Sequence, residues 1–338
     1  MTIKYTNVYI NDTSTITGPY EAKGPLKNFF DKSYSDLYFG EKTWEQAEIK
    51  LINESIDILK TKTNQTDIDL LIGGDLLNQI TPSSYASSKI NTSFIGIYAA
   101  CATSTLGLIL GANFLENNLV KNVITFTSSH NTGAEKQYRY PVEYGGPKPK
   151  TTTFTTTGCA SALLSNKKSV IKLESGTIGK VVDSNSKNIF NMGEVMAKAA
   201  ADTINTHLKE TNREIDYYDL ILTGDLGIYG KEILKEYMKD KYKINLNNYN
   251  DTGTMIFDLE KQPVYAGASG PACAPLVTYG YIFNQMKEKK LRKVLLVATG
   301  ALMSPTMVNQ KITIPAIAHA VSMEVLWWYI LMHFYLQD

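Results

Sequence analysis

Two short apolar runs that end in Gly-Asp punctuate the chain, Asp69-Leu-Leu-Ile-Gly-Gly-Asp-Leu76 and Asp219-Leu-Ile-Leu-Thr-Gly-Asp-Leu226. Each reads as a buried strand running into a loop. Each follows an amphipathic stretch with helical spacing, Trp44 to Lys60 and Met192 to Lys209, and the connector carries Thr-Asn in both copies (Thr63-Asn64 and Thr211-Asn212). The echo continues. Cys101-Ala-Thr-Ser-Thr-Leu-Gly107 opens an apolar helix that leads to the strand Val123 to Thr127. Cys273-Ala-Pro-Leu-Val-Thr-Tyr279 opens a helix that leads to the strand Val294 to Ala298. Elements matching in this order indicate internal duplication. Helices alternating with short buried strands imply α/β layering on largely parallel sheets. The pattern therefore predicts two pseudo-repeated α/β halves fused into an α/β/α/β/α sandwich. The first half spans residues 1–175, with the Cys101 elbow and inserted loops. The second spans residues 176–321, and 322–338 is an atypical apolar tail.

Size and charge narrow the function classes. At 338 residues the chain can bury a substantial core. A formal net charge of +1 shows no basic excess, so no nucleic-acid partner is expected. Three cysteines far apart make no disulfide framework, and with four scattered histidines no metal site is visible. No calcium-loop spacing is present either. Met1 to Ile10 lacks the pattern of a secretory signal peptide. Val325 to Leu336 is too short to span a bilayer; an interfacial helix, a buried terminal helix and a non-native tail are all consistent with it.

The candidate chemistry centres on Cys101. Ser93 to Ala99 reads as a strand, and the small residues that follow allow a sharp turn into a helix. That turn puts Cys101 at a helix N-terminus, where a thiolate is favoured and where the N–H groups of Ala102 and Thr103 could hold a ligand carboxylate. A buried structural cysteine is the alternative. His130 ends the strand Val123 to Ser129 and His319 lies near the end of the second half; each is either a cleft residue or a hydrogen-bonded structural histidine. His207 falls on a helix and is expected at the surface, and His333 lies in the tail. The segment His130 to Thr157 reads as a long loop, either functional or a contact surface.

These strings resemble the thiolase and ketoacyl-synthase superfamily. Ala100-Cys101-Ala102-Thr103 is similar to its nucleophile elbow, and Thr157-Gly-Cys-Ala-Ser-Ala-Leu-Leu164 to its Gly-rich strand. Within the superfamily the resemblance is much closer to the stage V sporulation protein AD family. Its strongest points are Thr127-Ser-Ser-His-Asn131, Gln137-Tyr-Arg-Tyr-Pro-Val-Glu-Tyr-Gly-Gly146 and Val297-Ala-Thr-Gly-Ala-Leu-Met-Ser-Pro-Thr-Met307. The resemblance implies a thiolase fold and a homodimer. It implies binding of dipicolinic acid, with or without calcium, in a vestigial thiolase cleft. It also implies work beside the other SpoVA membrane proteins, in the spore and peripheral to its inner membrane, with no cofactor. For a flat dicarboxylate the candidate ligand residues are Cys101, Ala102, Thr103, His130, Asn131, Arg139, Tyr140, Gly267, Ser269 and His319. Arg139 suits bidentate contact with a carboxylate, or pairs with Glu143. The stretches matching the superfamily's histidine and last motifs, Tyr265-Ala-Gly-Ala-Ser-Gly-Pro-Ala272 and Ala298-Thr-Gly-Ala-Leu-Met-Ser304, carry none of its histidine, second cysteine or asparagine. A nucleophile without its base favours a binder. An acyl-CoA acyltransferase using Cys101 is the alternative.

Overall fold

The computed structural model describes residues 1–138 and 148–327. The first half runs β1 (Thr2–Thr17), α1 (Trp44–Thr63), β2 (Leu70–Gly74), β3 (Ser93–Gly96), α2 (Thr103–Glu116), β4 (Asn122–Ser129) and β5 (Gly158–Ser165). The second half opens with β6 (Ile171–Ile178), α3 (Met192–Thr211), β7 (Leu220–Thr223), α4 (Gly227–Tyr237) and β8 (Tyr249–Asp251). It continues with α5 (Cys273–Val277, extended through a π turn to Phe283–Lys287), β9 (Lys293–Ala301) and β10 (Pro315–Val325). Strand order is β3-β2-β4-β5-β1 in one half and β8-β7-β9-β10-β6 in the other. In each half the first three strands are mutually parallel and the last two join antiparallel. The halves meet where β1 pairs antiparallel with β6, Val8 opposite Leu173. The duplication seen in the sequence is thus a duplication of topology.

Local chemistry sets the element ends. Thr43 caps α1 by accepting from the Gln46 N–H at 3.2 Å, and Asn191 does the same for α3 from Glu194 at 3.3 Å. Asn64 and Asn212 close the two helices in the left-handed region, at φ 48° and 55°. The helix α2 is apolar on every side, and it packs against β1, β2 and β4 of its own half and β6, β9 and β10 of the other. It forms the central layer with α5. The amphipathic α1 and α3 cover the outer faces, each with its own core cluster. This is the five-layer sandwich.

Several elements differ from the sequence expectation. The strand before Cys101 ends at Gly96, because the chain must leave the sheet to make the elbow. The segment after His130 forms a helix, Asn131–Tyr138, and Phe154–Thr155 pairs with Ala268–Ser269. The boundary at 175 falls inside β6. The boundary at 321 falls inside β10, which runs on to Val325 opposite Lys293 to Ala301. Trp327 then donates to the Met286 carbonyl at 3.1 Å. Residues 322–327 therefore belong to the fold; the rest of the tail lies outside the described residues. His207 is fully buried, joined to Thr177 Oγ1 and the Tyr218 hydroxyl at 2.6 Å each. Burial lowers it to about 4. The expectation of a surface histidine fails because its neighbours on α3 face a β-sheet.

One buried acid makes a direct prediction. Glu21 is fully buried; Oε1 accepts from the Thr157 N–H at 2.8 Å and Oε2 has no partner. Burial raises it to about 7. An acid raised in the folded state contributes stability below its unfolded pKa and loses it as pH rises through the folded one. Glu21→Gln is therefore expected to gain stability relative to the parent between about pH 5 and about pH 8, by roughly 2–3 kcal/mol. Denaturant midpoints across that range check it; a constant offset would sink it.

Candidate functional site

The elbow is built by backbone strain. Ala100 sits at φ 49°, which turns the chain from β3 into α2 within a few residues. Thr103 Oγ1 locks the turn, accepting from the Ala99 N–H at 3.0 Å and donating to the Ala100 carbonyl at 2.6 Å. The N–H groups of Ala102 and Thr103 close onto the carbonyls of Ala99 and Ala100 at 3.0 and 3.3 Å. They are engaged within the turn, which removes the expected carboxylate cradle.

Cys101 is partly exposed on the wall of an open cleft, with about 540 Å³ of empty space around it when the solvent at the mouth is included. Leu76, Met192, Met196 and Met303 give it apolar walls. Tyr98, Tyr138, Ser269, Gly270 and Asp225 add polar edges. The phenols of Tyr98 and Tyr138 meet at 3.2 Å. The surroundings of the thiol work against the expected thiolate. Burial first, and then the Asp225 carboxyl to which it donates, push it well above the usual thiol range. Cys273, the matching residue of the second half, is fully buried with its sulfur 3.5 Å from Thr252 Oγ1.

The structure brings Cys101 and Ser269 to the cleft and sends other candidates elsewhere. His130 is buried, with Nε2 donating to the Leu37 carbonyl at 2.8 Å and Nδ1 accepting from the Gly133 N–H at 3.3 Å. Burial lowers its pKa. His319 is buried on β10, accepts from the Gly179 N–H at 3.2 Å, and is lowered to about 4 by burial. Asn131 holds Thr157 Oγ1 and the Thr155 carbonyl at 2.9 and 3.1 Å. Gly267 does not line the cleft; at φ 115° a Cβ there would lie 2.3 Å from the Gly253 carbonyl oxygen. Arg139, Tyr140, Glu143 and His333 lie outside the described residues.

The residue that sequence reasoning missed is Asp225. A signal was available, because the repeat aligns it with Asp75. Asp75 caps its own loop, accepting from the Leu77 and Ser83 N–H groups at 2.8 and 2.9 Å and from Ser83 Oγ at 2.6 Å. In the second half Asp251 takes over that task, accepting from the N–H groups of Leu226, Gly227 and Gly253 at 3.0, 2.9 and 3.0 Å. Asp225 is thereby free to turn toward Cys101. Its oxygens accept from Thr299 Oγ1 at 2.7 Å and from the Gly270 N–H at 3.3 Å. Burial first, with Asp251 adding, raises it well above the carboxylate range.

A duplicated five-layer α/β sandwich with a cysteine elbow opening into a cleft defines a thiolase-fold protein. Solved structures agree on the fold. A substituted form of OleA from Xanthomonas campestris superposes with a TM-score of 0.61 at 14% identity, covering 96% of this chain and 100% of that one. The 3-oxoacyl-[acyl-carrier-protein] synthase III of Aquifex aeolicus VF5 gives a TM-score of 0.53 at 12% identity, over 95% and 99%. The family "Stage V sporulation protein AD (SpoVAD)" matches residues 1–324. The Stage V sporulation protein AD of Bacillus subtilis (strain 168) is 44% identical over 320 residues, 94% of each chain. This chain belongs to the stage V sporulation protein AD family, a sporulation family with a thiolase fold. Among the described residues no helix is long and apolar enough to cross a membrane, and no group of three or more His, Cys, Asp or Glu could hold a metal ion.

Proposed function

We propose that the chain binds dipicolinic acid in the Cys101 cleft without turning it over. In this reading it supports uptake of the acid into the developing spore and its release at germination. It acts as a homodimer peripheral to the spore inner membrane, beside the other SpoVA membrane proteins. Family membership supports the ligand class. One observation carries the non-catalytic part: the ionisable partner of the thiol is a buried carboxyl, while His130 and His319 are held by backbone groups elsewhere. A neutral thiol is a poor nucleophile. The apolar walls and tyrosine edges suit a flat aromatic ring.

The strained residue Ala100 favours a second reading, an acyltransferase, since such strain concentrates at reactive positions. Calorimetric titration separates the two. Dipicolinate is expected to bind saturably, and Met303→Trp, which fills the cleft, should weaken it at least roughly tenfold. Acyl-CoA should give neither saturable heat nor an acylated cysteine by mass. Acylation of Cys101 with no dipicolinate heat would reverse the order of the two readings.

A further inference from the structure

Asp225 brings a carboxyl to the floor of a cleft read above as the seat of an anionic ligand. It is 1% exposed. Among the described residues its surroundings come from four directions and supply no cation. The elbow presents the Cys101 thiol and the start of α5 presents Cys273. The end of β8 presents the Asp251 carboxylate, and β9 presents the Thr299 hydroxyl. Across the cleft stand the phenols Tyr98 and Tyr138, and Glu135, which already holds Lys148 at 2.8 Å. Among the described residues no lysine or arginine pairs with Asp225. An ionised Asp225 would repel an incoming carboxylate in this low-dielectric setting. A protonated one presents an O–H where the ligand needs a donor, and the neighbouring thiol, no longer facing an anion, is released to donate as well.

We infer that Asp225 is protonated in the ligand-bound state, so that wherever it is ionised beforehand the cleft takes a dicarboxylate together with a proton from solvent. The inference rests on the binding reading above and adds its control by pH. Burial and Asp251, which hold Asp225 above the carboxylate range, support it. The sign follows from linkage: a bound anion raises the carboxyl further, so binding is tightest where Asp225 already holds its proton and weakens as pH rises through its free-protein titration.

The experiment titrates dipicolinate into the full chain between about pH 6 and about pH 9, where the ligand's own carboxylates stay ionised. Two buffers of different ionisation enthalpy are used at each pH. Affinity is expected to fall about tenfold per pH unit above the Asp225 titration, with one proton taken up per ligand there and uptake fading at lower pH. Asp225→Asn, neutral at every pH, should bind with a flat profile, and Cys101→Ala should keep the slope. A flat profile without proton uptake in the parent, or the same slope in Asp225→Asn, overturns the inference while leaving the binding reading in place. Absence of saturable binding at every pH overturns the binding reading and this inference with it. If Asp225→Asn does not fold, the proton count of the parent decides alone.

Discussion

Gly300→Ala is expected to remove about 3 kcal/mol or more of stability and to abolish ligand binding in the cleft. A Cβ at position 300 would lie 2.3 Å from the Ala99 carbonyl oxygen and 3.1 Å from the Ala102 nitrogen. Both are backbone atoms of the elbow, so no rotamer change relieves the clash. Either β9 retreats from α2 or the elbow shifts. The second outcome moves Cys101, because Thr103 ties the turn into one rigid unit. Gly300 is where the second half of the duplicated fold touches the Cys101 elbow of the first. Denaturant unfolding and dipicolinate titration measure the two effects. The control is Gly133→Ala, in the helix Asn131–Tyr138, where the nearest atom to a new Cβ is 3.7 Å away. It should be near neutral. Parental stability and affinity in Gly300→Ala would mean that the close approach is not a constraint.

Arg213→Met is expected to destabilise by about 3–5 kcal/mol, the usual penalty for leaving one partner of a buried pair alone. The Arg213 and Glu174 side chains are 19% and 12% exposed and pair at 3.1 Å. Arg213 also donates to the Tyr218 hydroxyl and to Ser322 Oγ, at 3.0 Å each. Glu174 accepts from Ser322 Oγ at 2.8 Å and from the Tyr217 hydroxyl at 2.9 Å. The network joins the end of α3 to β10 and to β6, the strand that pairs with the first half. Burial alone would raise Glu174, but Ser322, Arg213, Tyr217 and Lys293 together bring it below the ordinary value. An acid lowered in the folded state contributes stability above its unfolded pKa and loses it as pH falls through the folded one. The deficit of the variant should therefore shrink below about pH 4. The double variant Arg213→Met with Glu174→Gln should recover most of the loss, since no buried charge is then left unpaired. A double variant no more stable than the single one would show that shape, not charge, holds this corner.

Much of the site was half legible. Cys101 on an elbow followed from small residues in a strand-to-helix turn, and Ser269 was among the residues expected to line the ligand slot. The roles given to Ala102 and Thr103 did not survive, because whether a helix-start N–H is free depends on how tightly the turn closes, and Ala100 at φ 49° closes it onto itself. His130 was recognisable as a strand-end residue and His319 as one near the end of the second half, but a ring can face a cleft or a backbone from either position. Ser322 read as the start of an atypical tail, yet its hydroxyl completes the Glu174 network, a partnership 148 residues apart.

The duplicated α/β architecture was written in the sequence itself. Helical and strand periods, threonine and asparagine caps and the paired Gly-Asp strand ends are local signals, each set by a few neighbouring residues and repeated in the same order. Which member of each repeated pair became functional was decided only by the tertiary structure. Asp75 and Asp225 occupy equivalent places, as do Cys101 and Cys273. Capping by Asp251 turns one aspartate toward a thiol, and packing in the central layer buries one cysteine while leaving the other on the cleft wall. Those differences arise from tertiary contacts, where residues far apart in sequence compete for the same hydrogen bonds and space.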